Sequence, residues 1–165
     1  MRSGDLADDL LRAYATDDRV TRFLIESLPD EAWRAKPPGP KGRTIAAIVS
    51  HMHNNRLMWL KMTGRRSKLP AQLNRHTVTR ARALAALPKS RDAMLAALGH
   101  DLRSGTVKNA PPDAAHFFAY QIAHEAHHRG QILMLLGQLG IDMPDQVRRG
   151  VWQYNMRHRE AEEGR

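Results

Sequence analysis

The chain contains no cysteine, so disulfide bonds and thiolate metal ligands are excluded, and a metal site would need histidine, carboxylate, amide oxygen or water. Aromatic residues make up only 5% of the chain, too few for the base-stacking surface of a single-strand binder. No apolar run approaches the roughly 20 residues of a membrane-spanning helix, and the amphipathic N-terminal region does not resemble a signal peptide. We therefore expect a cytoplasmic protein without a membrane partner.

Positive charge is in excess. The formal net charge is +9 at pH 7, which on its own favours a nucleic-acid partner. Eleven of the 26 basic residues gather in two regions, residues 34–43 and 61–82, that carry no aromatic side chain. Basic loops of this kind are commonly solvated surface, so we rank nucleic acid below a small molecule as the partner.

The chain does carry strong helical periodicity. Apolar residues recur at three- and four-residue spacing in four segments: residues 5–28, 44–63, 78–98 and 113–139. Proline or glycine follows each segment. Within the third segment, Pro88 predicts either a kink or a division into residues 78–87 and 89–98. These features predict an all-α fold, a four-helix bundle forming one domain over residues 1–165.

The connections between these segments differ in length. Residues 64–77 are basic and long for a turn between helices, so we expect them to cross the length of the bundle. A short C-terminal segment begins at Pro144 and contains Trp152 and Tyr154. The highly charged end, residues 157–165, is expected to be frayed.

The most informative motif is the run His-Glu-Ala-His-His-Arg-Gly-Gln at residues 124–131. In a helix, His124 and His128 lie at i and i+4 within the apolar face, close enough to bind one ion. His51 lies on the apolar face of the second helix, whereas His53 points nearly opposite and is predicted to lie on the surface or against a partner. Three histidines from two helices predict a divalent-metal site with open coordination positions.

Polar residues one helical turn from these histidines are candidates for the remainder of the site. Asn55 follows His51 by one turn and is expected to line a pocket or to orient a water molecule. Gln121 precedes His124 by one turn, and Tyr120 is a candidate for proton transfer. The alternative interpretation is that the histidines are structural residues, satisfied by hydrogen bonds in the core.

The fourth segment also has a side made of small residues: Ala119, Ala123, Ala126, Gly130 and Gly137. Few charged positions remain along this segment, so we expect a central helix that is buried on most faces. The small side chains suit close approach by another helix.

Three stretches of the chain resemble the DinB-like superfamily of metal-binding four-helix bundles. They are IAAIVSHMHNNRLMWL at residues 45–60, QIAHEAHHRGQILMLL at residues 121–136 and GIDMP at residues 140–144. The resemblance covers most of the chain, to about residue 152. It implies an up-down-down-up bundle with a long crossover between helices two and three, and a homodimer.

The resemblance also implies one divalent ion, most often zinc or nickel, held by residues matching His51, His124 and His128. Iron and manganese also fit a three-histidine site. Characterised members include transferases that use low-molecular-weight thiols. The first hypothesis is therefore a metal-dependent enzyme of thiol S-transferase or related type that acts on a small molecule. The second is a non-catalytic metal-binding stress-response module, and the third is a basic bundle that binds a partner or nucleic acid.

Overall fold

The computed structural model describes residues 5–39, 42–65, 68–110 and 112–164. The described residues form helices and contain no strand, as the all-α prediction requires. The helices are α1 (Leu6–Glu26), α2 (Ile45–Met62), α3 (Arg80–Ser104), α4 (Ala114–Gln138), α5 (Asp145–Gly150) and α6 (Tyr154–Glu162), with a short 3-10 helix at Asp30–Ala32. None of these helices combines the length and hydropathy that a membrane span requires.

Each long helix begins at a side-chain cap. An aspartate or threonine oxygen accepts a hydrogen bond from a backbone N–H in the first turn, which satisfies a donor that the helix itself leaves unpaired. The capping residues are Asp5, Thr44, Thr79 and Asp113. These caps account for the close agreement between the predicted and observed helix starts.

The third helix is longer than predicted and is not divided. It runs through Pro88 and continues beyond Gly99, which lies inside the helix against Leu11. It ends at Gly105, whose φ of 73° is readily adopted only by a residue without a side chain. Of the two outcomes predicted for Pro88, a kink or a division, the division does not occur, and the predicted end at Gly99 is wrong.

The helix directions confirm the up-down-down-up topology. At one end of α3, Arg80 bonds the carbonyl of Leu28, and at the other end Arg103 pairs with Asp8, so α1 and α3 are antiparallel. The α2 and α3 helices are parallel, because contacts join their middles, His53 with Ser90, and their C-terminal ends. The α4 helix runs antiparallel to α2. The segment between α2 and α3 therefore spans the bundle lengthwise, as its length predicted.

Two apolar clusters fill the interior, one towards each end of the bundle. The first is built around Leu24, Ile45, Met52, Leu87 and Ile132. The second is built around Tyr14, Leu57, Leu60, Met94 and Phe117. The residues between these clusters, in the middle of each long helix, form a buried polar layer.

The guanidinium of Arg56 lies at the centre of this polar layer and is fully buried. It pairs with Asp18 of α1 at 2.9 Å and with Glu125 of α4 at 3.1 Å, and it donates to the carbonyl of Leu87 in α3. Burial alone would lower the pKa of Arg56, but Glu125, with Tyr14 and Asp18, holds it well above its usual value. One cation thus contacts the other three helices of the bundle.

A second set of ion pairs extends the layer along α1. Arg22 pairs with Asp18 at 2.9 Å, and Arg129 of α4 pairs with Asp17 at 2.6 Å. With Arg56 and Glu125, these pairs match three arginines with three carboxylates, and the less buried Arg91 of α3 lies 3.8 Å from Asp18. A balanced set of this kind avoids leaving a single charge buried without a partner.

The charged C-terminal end was predicted to be frayed, but residues 157–162 are helical. It forms α6, which packs along α1. Arg157 is buried over the ring of Phe23, with 3.9 Å between the guanidinium carbon and the ring centroid, and Arg19 pairs with Glu160 at 2.7 Å. Cation–π and ionic contacts hold α6 against α1. A search of the sequence for apolar periodicity does not detect contacts of this kind.

Helix α4 is less buried than predicted. One stripe of the helix, including Phe117, Gln121, Glu125 and His128, faces the interior. The side made of small residues is exposed on the single chain, and a Cβ placed on Gly130 would meet no atom within 4 Å. The small residues therefore leave an open helical face.

The ionic layer yields a stability prediction. Replacing Arg56 with methionine leaves Asp18 and Glu125 buried without their shared cation, so the free energy of unfolding should fall by about 3–5 kcal/mol at neutral pH. Chemical denaturation followed by circular dichroism measures this. The matched control is Arg12→Met, which breaks an exposed pair with Asp9 and should cost under about 0.5 kcal/mol. Equal losses in the two variants would contradict a central role for Arg56.

Candidate metal centre

The motif at residues 124–131 presents two faces of α4 to two different helices. His124 and His128 lie on the side of α4 towards α2, where they meet His51. Glu125 and Arg129, each one position further along, lie on the side towards α1, where they contact Thr21. Two pairs at i,i+4 spacing thus fix the rotation of the helix.

The structure brings the three predicted histidines together. The Nε2 atom of His124 lies 3.3 Å from Nε2 of His51 and 3.1 Å from Nε2 of His128. Zinc–nitrogen bonds of about 2.0–2.1 Å in tetrahedral geometry place ligand nitrogens about 3.4 Å apart. The three side chains therefore form a group whose geometry could hold a metal ion.

Gln131 orients one of these imidazoles, and the sequence-based prediction missed it. Nδ1 of His128 donates to the Gln131 side-chain oxygen at 2.8 Å, while the Gln131 amide nitrogen donates to His127 at 2.9 Å. With its proton on Nδ1, His128 keeps a free lone pair on Nε2, towards the other histidines. Gln131 lies three residues after His128, a spacing at which helical side chains meet, and this was the available signal.

The protonation states suit a cation. Burial, reinforced by His128 and His51, lowers the pKa of His124 to about 3. Burial also lowers the pKa of His51 and that of His128. All three imidazoles are therefore neutral at pH 7, which is the form that donates a lone pair to a metal.

The residues predicted to complete the site lie around it. Tyr120 is half-buried and stacks on His124, with 5.9 Å between ring centroids and 29° between planes. Asn55 and Gln121 are both buried, one turn from His51 and His124 respectively. The side-chain nitrogen of each has no hydrogen-bond partner among the described residues. Both amides are therefore available to a ligand or a water molecule.

His53 is buried, so its predicted place on the surface or against a partner is wrong. Nδ1 of His53 lies 3.0 Å from the Ser90 hydroxyl, and Nε2 donates to the carbonyl of Ala71 at 3.0 Å. The face of α2 opposite the three histidines is covered by α3 and by the crossover segment, which a helical projection of α2 alone does not show. His53 therefore holds the crossover against the bundle.

Asn54 acts with His53 in the same contact. Its amide nitrogen donates to the carbonyl of Leu73, and its oxygen accepts from the Leu73 N–H, both at 2.9 Å. This pair of bonds resembles one rung of a β-ladder. Neighbouring residues of α2 thus serve different purposes, with His51 facing α4 and the next two polar residues holding the crossover.

A four-helix bundle with a polar central layer and a three-histidine group between α2 and α4 defines a class of helical proteins with a candidate metal centre. Within this class, residues 2–152 match the DinB family. The chain belongs to that family, as its sequence motifs predicted. No curated protein and no solved structure matches the chain.

The buried position of His53 yields a prediction. His53→Ala removes both ring nitrogens, so the Ala71 carbonyl loses its imidazole donor and Ser90 loses one of its partners. The free energy of unfolding should therefore fall by about 1–3 kcal/mol. Thermal and chemical unfolding measure this. His100→Ala, at an exposed position on α3, is the control and should change stability by no more than about 0.5 kcal/mol. A His53 variant as stable as the control would rule out the crossover contact.

Proposed function

We propose that the chain binds one divalent metal ion through His51, His124 and His128 and is a metal-dependent enzyme of thiol S-transferase or related type. The convergence of three Nε2 atoms from two helices carries the proposal. Among the described residues, no fourth histidine or carboxylate joins this group. A three-ligand site leaves a position for substrate, which is the arrangement of catalytic rather than structural metal sites.

The ligand set supports this reaction class. A divalent ion on three neutral imidazoles keeps its full charge and lowers the pKa of a thiol or water bound to it. Zinc or nickel fits the nitrogen donors best, and iron or manganese is compatible with them. The thiol itself would supply the nucleophile, which agrees with a site that offers no dedicated general base.

The surrounding polar residues have separate parts in this proposal. Asn55 and Gln121 carry unsatisfied amide nitrogens one helical turn from His51 and His124 respectively, and they would orient a small-molecule substrate. Tyr120 stacks on His124 and would place its hydroxyl near the open side for proton transfer. Gln131 would keep His128 in the tautomer that binds through Nε2.

Two other functions remain as alternatives. A non-catalytic metal-binding module in a stress response would hold the ion equally well but would not accept a thiol. A basic bundle that binds nucleic acid or a protein would keep its stability when metal is removed, and its binding would fall steeply with salt. The neutral imidazoles at 3.1–3.3 Å favour the metal over this third function.

We also propose that two copies of the chain associate through the open face of α4. The small side chains of this face, with exposed Met134 beside them, form an apolar surface at the level of the histidines. Met58 and Met62 of α2 are exposed as well. Small residues permit close approach of two helices, and a contiguous exposed apolar face is a common site of protein association.

The metal proposal predicts about one ion per chain in protein purified without an affinity tag or chelator. Elemental analysis should show this ion and its loss in His51→Ala, His124→Ala and His128→Ala, because each variant removes one of only three ligands. His127→Ala changes the exposed neighbour of His128 and should retain the ion. Equal loss in all four variants would contradict the assignment of ligands.

The same samples test the thiol chemistry. Protein loaded with cobalt(II) should develop the charge-transfer absorption of a cobalt-bound thiolate when a small thiol is added, and His51→Ala should not. If cobalt binds but no thiolate band appears, the thiol S-transferase proposal is refuted and the non-catalytic metal-binding module is favoured.

The dimer proposal predicts a mass of twice 18.7 kDa by light scattering after size exclusion. Ala126→Glu places a charge on the open face of α4 and should yield a monomer, because the charge would be buried without a partner. Ala85→Glu makes the same exchange at an exposed position of α3 and should remain dimeric. A monomeric wild type, or equal masses for the Ala126→Glu and Ala85→Glu variants, would contradict this assignment of the interface.

A further inference from the structure

A cleft of about 420 Å³ opens beside His51. One wall is the first half of α2, with Ala47, Ser50 and His51, and the other is the end of the crossover segment, with Arg75 and His76. Arg43, just before α2, closes one side. A cavity of this volume suits a small molecule, and one of the three clustered histidines is part of its wall.

The cleft is positively charged. Arg43 and Arg75 both line it, and the lining residues include no aspartate or glutamate. Arginines elsewhere in the chain commonly stand beside a carboxylate, as exposed Arg12 does with Asp9. Within the described residues, neither Arg43 nor Arg75 has such a partner. Two guanidinium groups facing one cavity without a carboxylate are an arrangement that an anion would complete.

The wall that carries Arg75 is held in place. Asn54 forms two hydrogen bonds with the backbone of Leu73, and Arg34 donates to the carbonyl of His76 at 2.9 Å. The Nε of Arg75 donates to Nε2 of His76 at 3.0 Å, which fixes the guanidinium and leaves its two terminal nitrogens to other partners. An arginine positioned in this way loses little conformational freedom when it binds an anion.

Arg43 connects this cleft to the metal centre. It lines the cleft together with His51, which is one of the three clustered histidines. A further cation at the three histidines would repel Arg43 unless negative charge entered between them. An anionic substrate supplies that charge.

We propose that this cleft is the substrate subsite and that Arg43 and Arg75 bind an oxyanion, a carboxylate or a phosphate, of a small molecule whose reacting group lies at His51. The inference deepens the proposed function, since its catalytic meaning rests on the metal at the three histidines. The binding of the oxyanion depends on the two arginines alone.

Isothermal titration of the full chain tests the subsite. Zinc-loaded protein, freed of unbound ion, is titrated with succinate and, separately, with inorganic phosphate. We expect at least one of these anions to bind and the Arg43→Ala, Arg75→Ala double variant to bind it at least tenfold more weakly. The preferred anion identifies the group that the subsite takes. Arg82→Ala removes an exposed arginine outside the cleft and should match the wild type.

The outcomes separate this inference from the proposed function. No binding of either anion to the wild type, or unchanged binding in the double variant, would overturn the subsite even if zinc is present at one ion per chain. Zinc absent from the same samples would refute the metal proposal, while the comparison of arginine variants would still decide the subsite. Circular dichroism of each variant confirms that the fold is retained.

Discussion

The buried guanidinium of Arg56 is the constraint on which the rest of the structure depends. A cation removed from water must be met by anions at hydrogen-bonding distance, and Asp18 of α1 and Glu125 of α4 meet it here. Because Glu125 faces inward and towards α1, the neighbouring residues His124 and His128 face α2. The rotation that satisfies the ion pair is therefore the rotation that assembles the histidines.

The two polar regions of the bundle are balanced differently. In the central layer, arginines and carboxylates compensate one another, so this layer stabilises a single arrangement of helices. At the three histidines and the adjoining cleft, the imidazoles are neutral, and among the described residues Arg43 and Arg75 have no carboxylate beside them. The cleft beside the histidines thus carries positive charge that nearby carboxylates do not compensate, an arrangement that attracts anions.

The sequence predicted the parts of the structure that depend on one helix at a time. The spacing of His124 and His128, and the place of His51 on an apolar face, were enough to identify the three histidines that converge. The predicted position of His53 was wrong because the residues around it belong to α3 and the crossover segment, which lie further along the chain. The small-residue side of α4 was expected to be buried because small residues pack well, but the single chain offers that side no neighbour.

The role of the excess basic residues depends on where the fold places them. A net charge of +9 is compatible with a solvated surface, a nucleic-acid partner or an acidic substrate. Arg43 and Arg75 lie in loops that the sequence predicts to be solvated surface. The path of the crossover nevertheless brings Arg75 to the same cleft as Arg43, beside His51. The crossover is held there by His53 and Asn54, the residues that follow His51 in α2. One short stretch of α2 therefore contributes His51 to the candidate metal centre on one face, and its other face positions the charged wall of the cleft.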